Sequence, residues 1–193
     1  MLLQRIQQQF IDSADLSYQS AEVLGVAVES AVAAMLATVT GGGKVLACGL
    51  GSGGVLAQLL VNGFLNGVER ERPALPAVLV RSDTVPAVHA MVRNISALAV
   101  SDDLLLIVGE TGTAPGAVEL VQAAHEREMT VVALTGAGGG PLGRALRDTD
   151  VHICVPHTRP VRINEMHHLV LNCLCDGIDA QLLGDAPGME NME

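Results

Sequence analysis

The chain has 193 residues, 49% of them apolar and 17% charged, which is the length and composition of one globular domain with a continuous core and not of a disordered chain. Its net charge of −10 and isoelectric point near 4.9 repel phosphate backbones and anionic membranes, and Lys44 is its only lysine. Phe10, Tyr18 and Phe64 are the only aromatic residues, too few to stack bases, so neither nucleic acid nor membrane is expected as a partner.

In chain order, the first forty residues read as a helix, with Leu16, Val23, Val26, Val28, Val32, Met35 and Leu36 at a near-helical period. Ser13 is a candidate cap for an inner segment, and Gly41-Gly42-Gly43 ends the run. Arg5 and the glutamines at 4 and 7–9 interrupt any leader-like start, and the longest apolar stretch, around 45–68, is broken by glycines. A cytoplasmic protein is expected. A long apolar helix outside any strand–helix unit calls for burial against another subunit.

Strands are predicted at 44–48, 77–80, 104–108, 130–134 and 151–155, the second followed by Ser82-Asp83. Helices are predicted from Val55, over 115–126, and over 160–183. Non-alternating apolar strands joined by helical crossovers give a parallel sheet covered on both faces. The fold class is therefore α/β, a three-layer αβα arrangement with a five-stranded, flavodoxin-like doubly wound sheet plus an N-terminal helix. It divides into an oligomerisation helix at 1–40, the α/β domain at 41–184 and a flexible acidic tail at 185–193.

Ligands of such folds bind where loops leave the carboxyl ends of the strands. Three loops there are rich in glycine and hydroxyl residues: 49–54, 109–113 and 135–140. Backbone amides and hydroxyls of this kind suit a phosphate. The first loop contains Gly49, Gly51 and Gly54 in dinucleotide-like spacing, but Asp83 lies too far along to hold a ribose, which argues against a nucleotide. Cys48, Cys154, Cys173 and Cys175 sit in apolar runs without Cys-x-x-Cys spacing and read as reduced core cysteines, as Met35, Met91, Met129 and Met166 read as core filler. His167 and His168 read as helix packing, and His152 and His157 as interface residues.

Several segments together resemble the sugar isomerase (SIS) domain family. They are Gly42-Gly43-Lys44-Val45-Leu46-Ala47-Cys48-Gly49, Glu71-Arg72-Pro73, the run from Met129 to Gly136, and Arg162-Ile163-Asn164-Glu165-Met166-His167 with Asn172-Cys173-Leu174-Cys175-Asp176. Within the family the chain looks like the phosphoheptose isomerase branch, and Asn-Cys-Leu-Cys-Asp is similar to the DnaA initiator-associating (DiaA) group. The resemblance implies a homotetramer. In the isomerases of this branch a metal-ligand His, a catalytic Glu, a Gln and a catalytic His stand where this chain has Leu59, Gly63, Asn164 and Asn172. Leu and Gly cannot ligate a metal, and Asn has no useful pKa for proton transfer.

No catalytic residue, metal or cofactor is therefore expected, and the resemblance implies a non-catalytic tetrameric adaptor that binds the replication initiator DnaA. Leu182 and Leu183, at the end of the last helix, are the candidate partner contact. The alternative is a phosphosugar-binding protein or an isomerase acting on sedoheptulose 7-phosphate, with its chemistry at His89, His157 or Glu110. Its degraded phosphate cradle would be Ser52, Thr111 and Thr113. Glu110 stands either beside the expected phosphate or turned away to solvent or the next helix. The connection from Asp83 to Asp103 is short for the branch and retains Asn94 from its usual loop.

Overall fold

The computed structural model describes residues 1–81 and 87–184. Eleven elements follow in order: α1 (Leu2–Thr40), β1 (Val45–Gly49), α2 (Gly53–Asn66), β2 (Ala77–Leu79), α3 (Ala87–Leu98), β3 (Leu104–Val108), α4 (Ala117–His125), β4 (Thr130–Gly136), α5 (Gly140–Ala145), β5 (Val151–Val155) and α6 (Pro160–Leu183). The strands form one parallel sheet in the order β2-β1-β3-β4-β5. The expected doubly wound α/β fold is thus the observed one. Ser82-Asp83 and the acidic tail lie outside the described residues.

Alternate residues of each central strand point to opposite faces, and both faces are covered. Val45, Ala47, Leu104, Leu106, Val132 and Leu134 enter the core shared with α1, α2 and α6. Leu46, Cys48, Leu105, Ile107, Val131 and Ala133 enter the core shared with α3, α4 and α5. Because neither face meets water, these strands read as unbroken apolar runs.

Two helices were absent from the sequence reading. The connection before Asp103 contains α3, whose Val88, Met91, Val92 and Ile95 form an apolar stripe on the second core. Asn94 is therefore a helical residue, with its amide 3.5 Å from the carbonyl of Arg81. The short α5 follows the third glycine-rich loop.

Helix α1 also departs from the expectation. It is unbroken through Ser13, whose hydroxyl bonds Glu165 on α6 at 3.1 Å instead of capping. Its buried stripe is Leu16, Ser20, Leu24, Ala31 and Met35, whereas Val23 and Val26 point outward. By length and composition α1 is long and apolar enough to cross a membrane. Only Glu29 is charged between residues 23 and 40, a stretch the glycine-interrupted reading of 45–68 passed over.

Buried charges stitch the amino edge of the sheet. The Asp103 carboxylate accepts from Lys44 Nζ at 2.6 Å and from the backbone amides of Lys44 and Val100, each at 2.9 Å. Asp150 does the same for β4 and β5 through the amides of Val131 and Arg147 and the His125 ring.

A third buried pair locks α2 to α6. The Arg72 guanidinium, 2% exposed, bonds Asp179 and donates to the carbonyls of Gly63 at 2.9 Å and Phe64 at 2.8 Å. Removing one partner of a buried pair leaves the other charge uncompensated. Asp179→Ala is expected to destabilise the fold by about 3 kcal/mol in urea unfolding, and a loss below about 1 kcal/mol would show that the two carbonyls suffice for Arg72.

Candidate functional site

The strand order reverses direction between β1 and β3, so their following loops diverge and leave a crevice at the carboxyl edge. Glycine brings the walls together. A Cβ at Gly53 would fall 2.3 Å from the Val108 carbonyl oxygen, so only glycine lets α2 start against the end of β3. At Gly112, with φ +66°, a Cβ would fall 1.9 Å from the Gly139 carbonyl oxygen.

Three side chains meet in the crevice from three elements. The Ser52 hydroxyl, in the β1–α2 loop, donates to Glu110 in the β3–α4 loop. The Asn164 amide, in the first turns of α6, donates to Ser52 Oγ at 2.8 Å and to Glu110 Oε1 at 3.1 Å. These bonds hold the Glu110 carboxyl below the usual carboxylate range, the Ser52 hydroxyl acting most and the Asn164 amide next, with desolvation opposing. Glu110 thus neither caps α4, whose N-cap is Gly116, nor turns to solvent unpaired. Of the positions allowed for it from sequence, the cap is not taken, and the carboxylate lies against Ser52, one of the predicted cradle residues.

The predicted cradle divides in two. Ser52 joins Glu110, while the hydroxyls of Thr111 and Thr113 bond each other at 2.6 Å beside Gly140. Beneath Asn164, one helical turn on, His167 is fully buried, with Nε2 3.0 Å from the Thr135 carbonyl oxygen and Nδ1 unpartnered. The sequence reading gave His167 to packing alone. Its signal was the i, i+3 spacing from Asn164. His152 Nε2 lies 2.8 Å from Thr135 Oγ1, and His157 Nδ1 accepts from the Arg159 amide at 2.9 Å. His89 is exposed on α3.

The cysteines are all free, but their burial differs. Desolvation pushes the Cys48 thiol up to about 12 and Cys175 up to about 11, whereas Cys173 is exposed, against expectation.

Leu59, Gly63 and Asn172 line a separate cleft of about 340 Å³ between α2 and α6 with Asn62, Asn66 and Cys175. Asn164 lies about 12 Å along the helix axis from Asn172 and belongs to the crevice instead. The cleft offers alkyl, backbone and amide groups, and a Cβ at Gly63 would stand 2.8 Å from Cys175 Sγ. No group of three or more His, Cys, Asp or Glu gathers among the described residues. The residues at the branch's metal positions do not fit a metal ion.

The SIS domain model matches residues 9–136, two thirds of the chain. The chain belongs to the SIS domain family, in its phosphoheptose isomerase branch. A protein of Methylibium petroleiphilum named phosphoheptose isomerase is 47% identical over 96% of this chain and 97% of its own. One of Azoarcus sp. with the same name is 44% identical over 95% and 98%. The structure of a phosphoheptose isomerase from Francisella tularensis superposes with a TM-score of 0.87 at 35% identity, covering 93% of this chain and 98% of that one. Phosphoheptose isomerase GmhA from Neisseria gonorrhoeae gives 0.86 at 32% identity, covering 93% and 100%.

These SIS-family relatives correct two expectations. The non-catalytic reading and the DnaA adaptor both fall, because chains 44–47% identical along nearly their whole length carry the name of an enzyme. Leu59, Gly63, Asn164 and Asn172 stand at the positions where the resemblance implies metal and proton-transfer groups, and the crevice holds a carboxylate at Glu110. Leu182 and Leu183 are partly exposed at the end of α6.

A pKa lowered on folding contributes stability above the unfolded value and loses it as pH falls through the folded one. Ser52→Ala is therefore expected to raise the Glu110 pKa toward the ordinary carboxylate range. Carboxyl ¹³C titration by NMR reads this directly, and an unmoved Glu110 would refute the hydrogen bond as its cause.

Proposed function

We propose that this SIS-family protein is a cytoplasmic aldose–ketose isomerase acting on a heptose phosphate of the sedoheptulose 7-phosphate class. The observation that carries the reading is an ionised carboxylate, Glu110, held by Ser52 and Asn164 at the topological switch point. The names of the relatives supply the substrate class.

Aldose–ketose isomerisation moves one proton between neighbouring carbons and one between their oxygens, with no external oxidant. A base with access to both carbons carries the first transfer. In this reading Glu110 takes the proton from the hydroxyl-bearing carbon, leaving an enediolate, and returns it to the adjacent carbon. Ser52 and Asn164 donate to the carboxylate while it waits and fix its approach. Thr111 and Thr113, on the side of the loop facing Gly140, present hydroxyls ahead of α4 for the phosphate.

The exposed apolar residues support a self-association surface. Phe10, Tyr18, Val23 and Val26 of α1 and Val55, Leu59 and Leu65 of α2 are all exposed in the single chain. In this reading residues 1–40 form the oligomerisation helix of a homotetramer. Sedimentation velocity is expected to give four times the 20.0 kDa chain mass, and a monomer at micromolar concentration would overturn the assignment.

The activity is tested by incubating the purified protein with sedoheptulose 7-phosphate and following aldose formation by NMR. Turnover is expected, with Glu110→Gln lowering kcat by about 10²–10⁴. Wild-type protein that binds but never converts the sugar would sink the isomerase reading. Full activity in Glu110→Gln would move the base elsewhere.

A further inference from the structure

Glu110 has partners suited to each of its two protonation states. As a carboxylate it accepts from the Ser52 hydroxyl and the Asn164 amide. Once it carries a proton it becomes a donor and needs an acceptor. Two buried acceptors without donors stand one turn apart on the same face of α6, Asn164 Oδ1 and His167 Nδ1.

The His167 tautomer follows from its surroundings. Its Nε2 faces the Thr135 carbonyl, which only accepts, so Nε2 carries the hydrogen and Nδ1 keeps its lone pair. Burial disfavours the charged ring, and Asn164, one turn back on the same face of α6, contacts Glu110 Oε1 at 3.1 Å. Of the other ionisable groups on these elements, Arg162 on α6 bonds Glu165 and Gln9 and keeps its Nε without a partner, and His152 on β5 bonds the Thr135 hydroxyl.

We propose that His167 is the positioning residue behind Glu110, its Nδ1 accepting the hydrogen bond of the protonated Glu110 carboxyl. The kinetic consequence rests on the isomerase reading, whereas the hydrogen bond does not. In the reaction a C–H bond of the sugar breaks, its electron pair enters the enediolate, and the proton forms the carboxyl O–H. His167 Nδ1 then holds that O–H without taking the proton, which returns to the neighbouring carbon. A structural histidine needs only its Nε2–H bond to Thr135. The second nitrogen is what distinguishes the two roles.

The test is long-range ¹H–¹⁵N NMR of the full chain with ¹⁵N-labelled histidine, comparing wild type with Glu110→Gln and Glu110→Ala. Gln presents an N–H where the protonated carboxyl presents its O–H. An upfield shift of His167 Nδ1 in Glu110→Gln alone is expected, with Nε2 protonated in all three. One unchanged Nδ1 resonance across the three, or a proton on Nδ1 in the wild type, overturns the proposal. The kinetic arm uses His167→Leu, which removes the Nδ1 acceptor, beside His167→Gln, whose amide keeps both an N–H for Thr135 and an oxygen that can accept. His167→Leu is expected to lower kcat about tenfold or more at unchanged KM, and His167→Gln to restore most of it. Unaltered kcat in folded His167→Leu also overturns the role. A wild type without turnover counts against the isomerase reading, and the NMR comparison still decides the pair.

Discussion

The close approach of backbones at the carboxyl edge of the sheet is the constraint on which the site depends. At Gly53 the start of α2 lies against the last carbonyl of β3, and at Gly112 the β3–α4 loop lies against the β4–α5 loop. A single methyl group at either point would push the walls of the crevice apart. With the walls held, Ser52, Glu110 and Asn164 come within hydrogen-bonding distance although they stand 58 and 54 residues apart in the chain. The opposite edge is closed by Asp103 and Asp150, which satisfy the amides at the strand starts.

The electrostatics of the crevice follow from few groups. Hydrogen-bond donors keep Glu110 ionised, and desolvation keeps His167 neutral. A carboxylate beside a neutral imidazole is a base with a waiting acceptor, whereas two charged groups would form a locked ion pair. One such locked pair lies elsewhere: Arg72 and Asp179 join α2 to α6, and the carbonyls of Gly63 and Phe64 that accept from Arg72 fix the end of α2. The cleft between those helices holds Leu59, Gly63 and Asn172, and Cys175 packs into the space a side chain at position 63 would need. The substitution at 63 and the packing around it therefore belong together.

Kinship and site chemistry carry different information here. Near-full-length identity of 44–47% fixes the family and its branch and overturns the adaptor reading. It leaves open which side chains act, because the four positions on which the branch relies differ in this chain. The proposed function gives that part to another carboxylate, Glu110, which Ser52 and Asn164 hold in the crevice.

The sequence alone determined the sheet and most of its connections. Runs such as Leu104 to Val108 cannot be anything but doubly buried strands, and glycine-rich loops after them mark the ligand edge whatever the ligand is. The long helices α1 and α6 were equally legible, because apolar periodicity over more than twenty residues has one reading. Helix α3 was not, since a twelve-residue segment interrupted by one His, Arg, Asn and Ser resembles a connection until Met91 and Ile95 find the second core. Sequence named Glu110 beside His89 and His157 as a candidate but could not single it out, for a stronger reason. A carboxylate's function depends on which donors reach it, and Ser52 and Asn164 reach it only after the strand order has brought β1 and β3 side by side. The same holds for His167: its tautomer is set by the Thr135 carbonyl, 32 residues away in the chain and one hydrogen bond away in the fold.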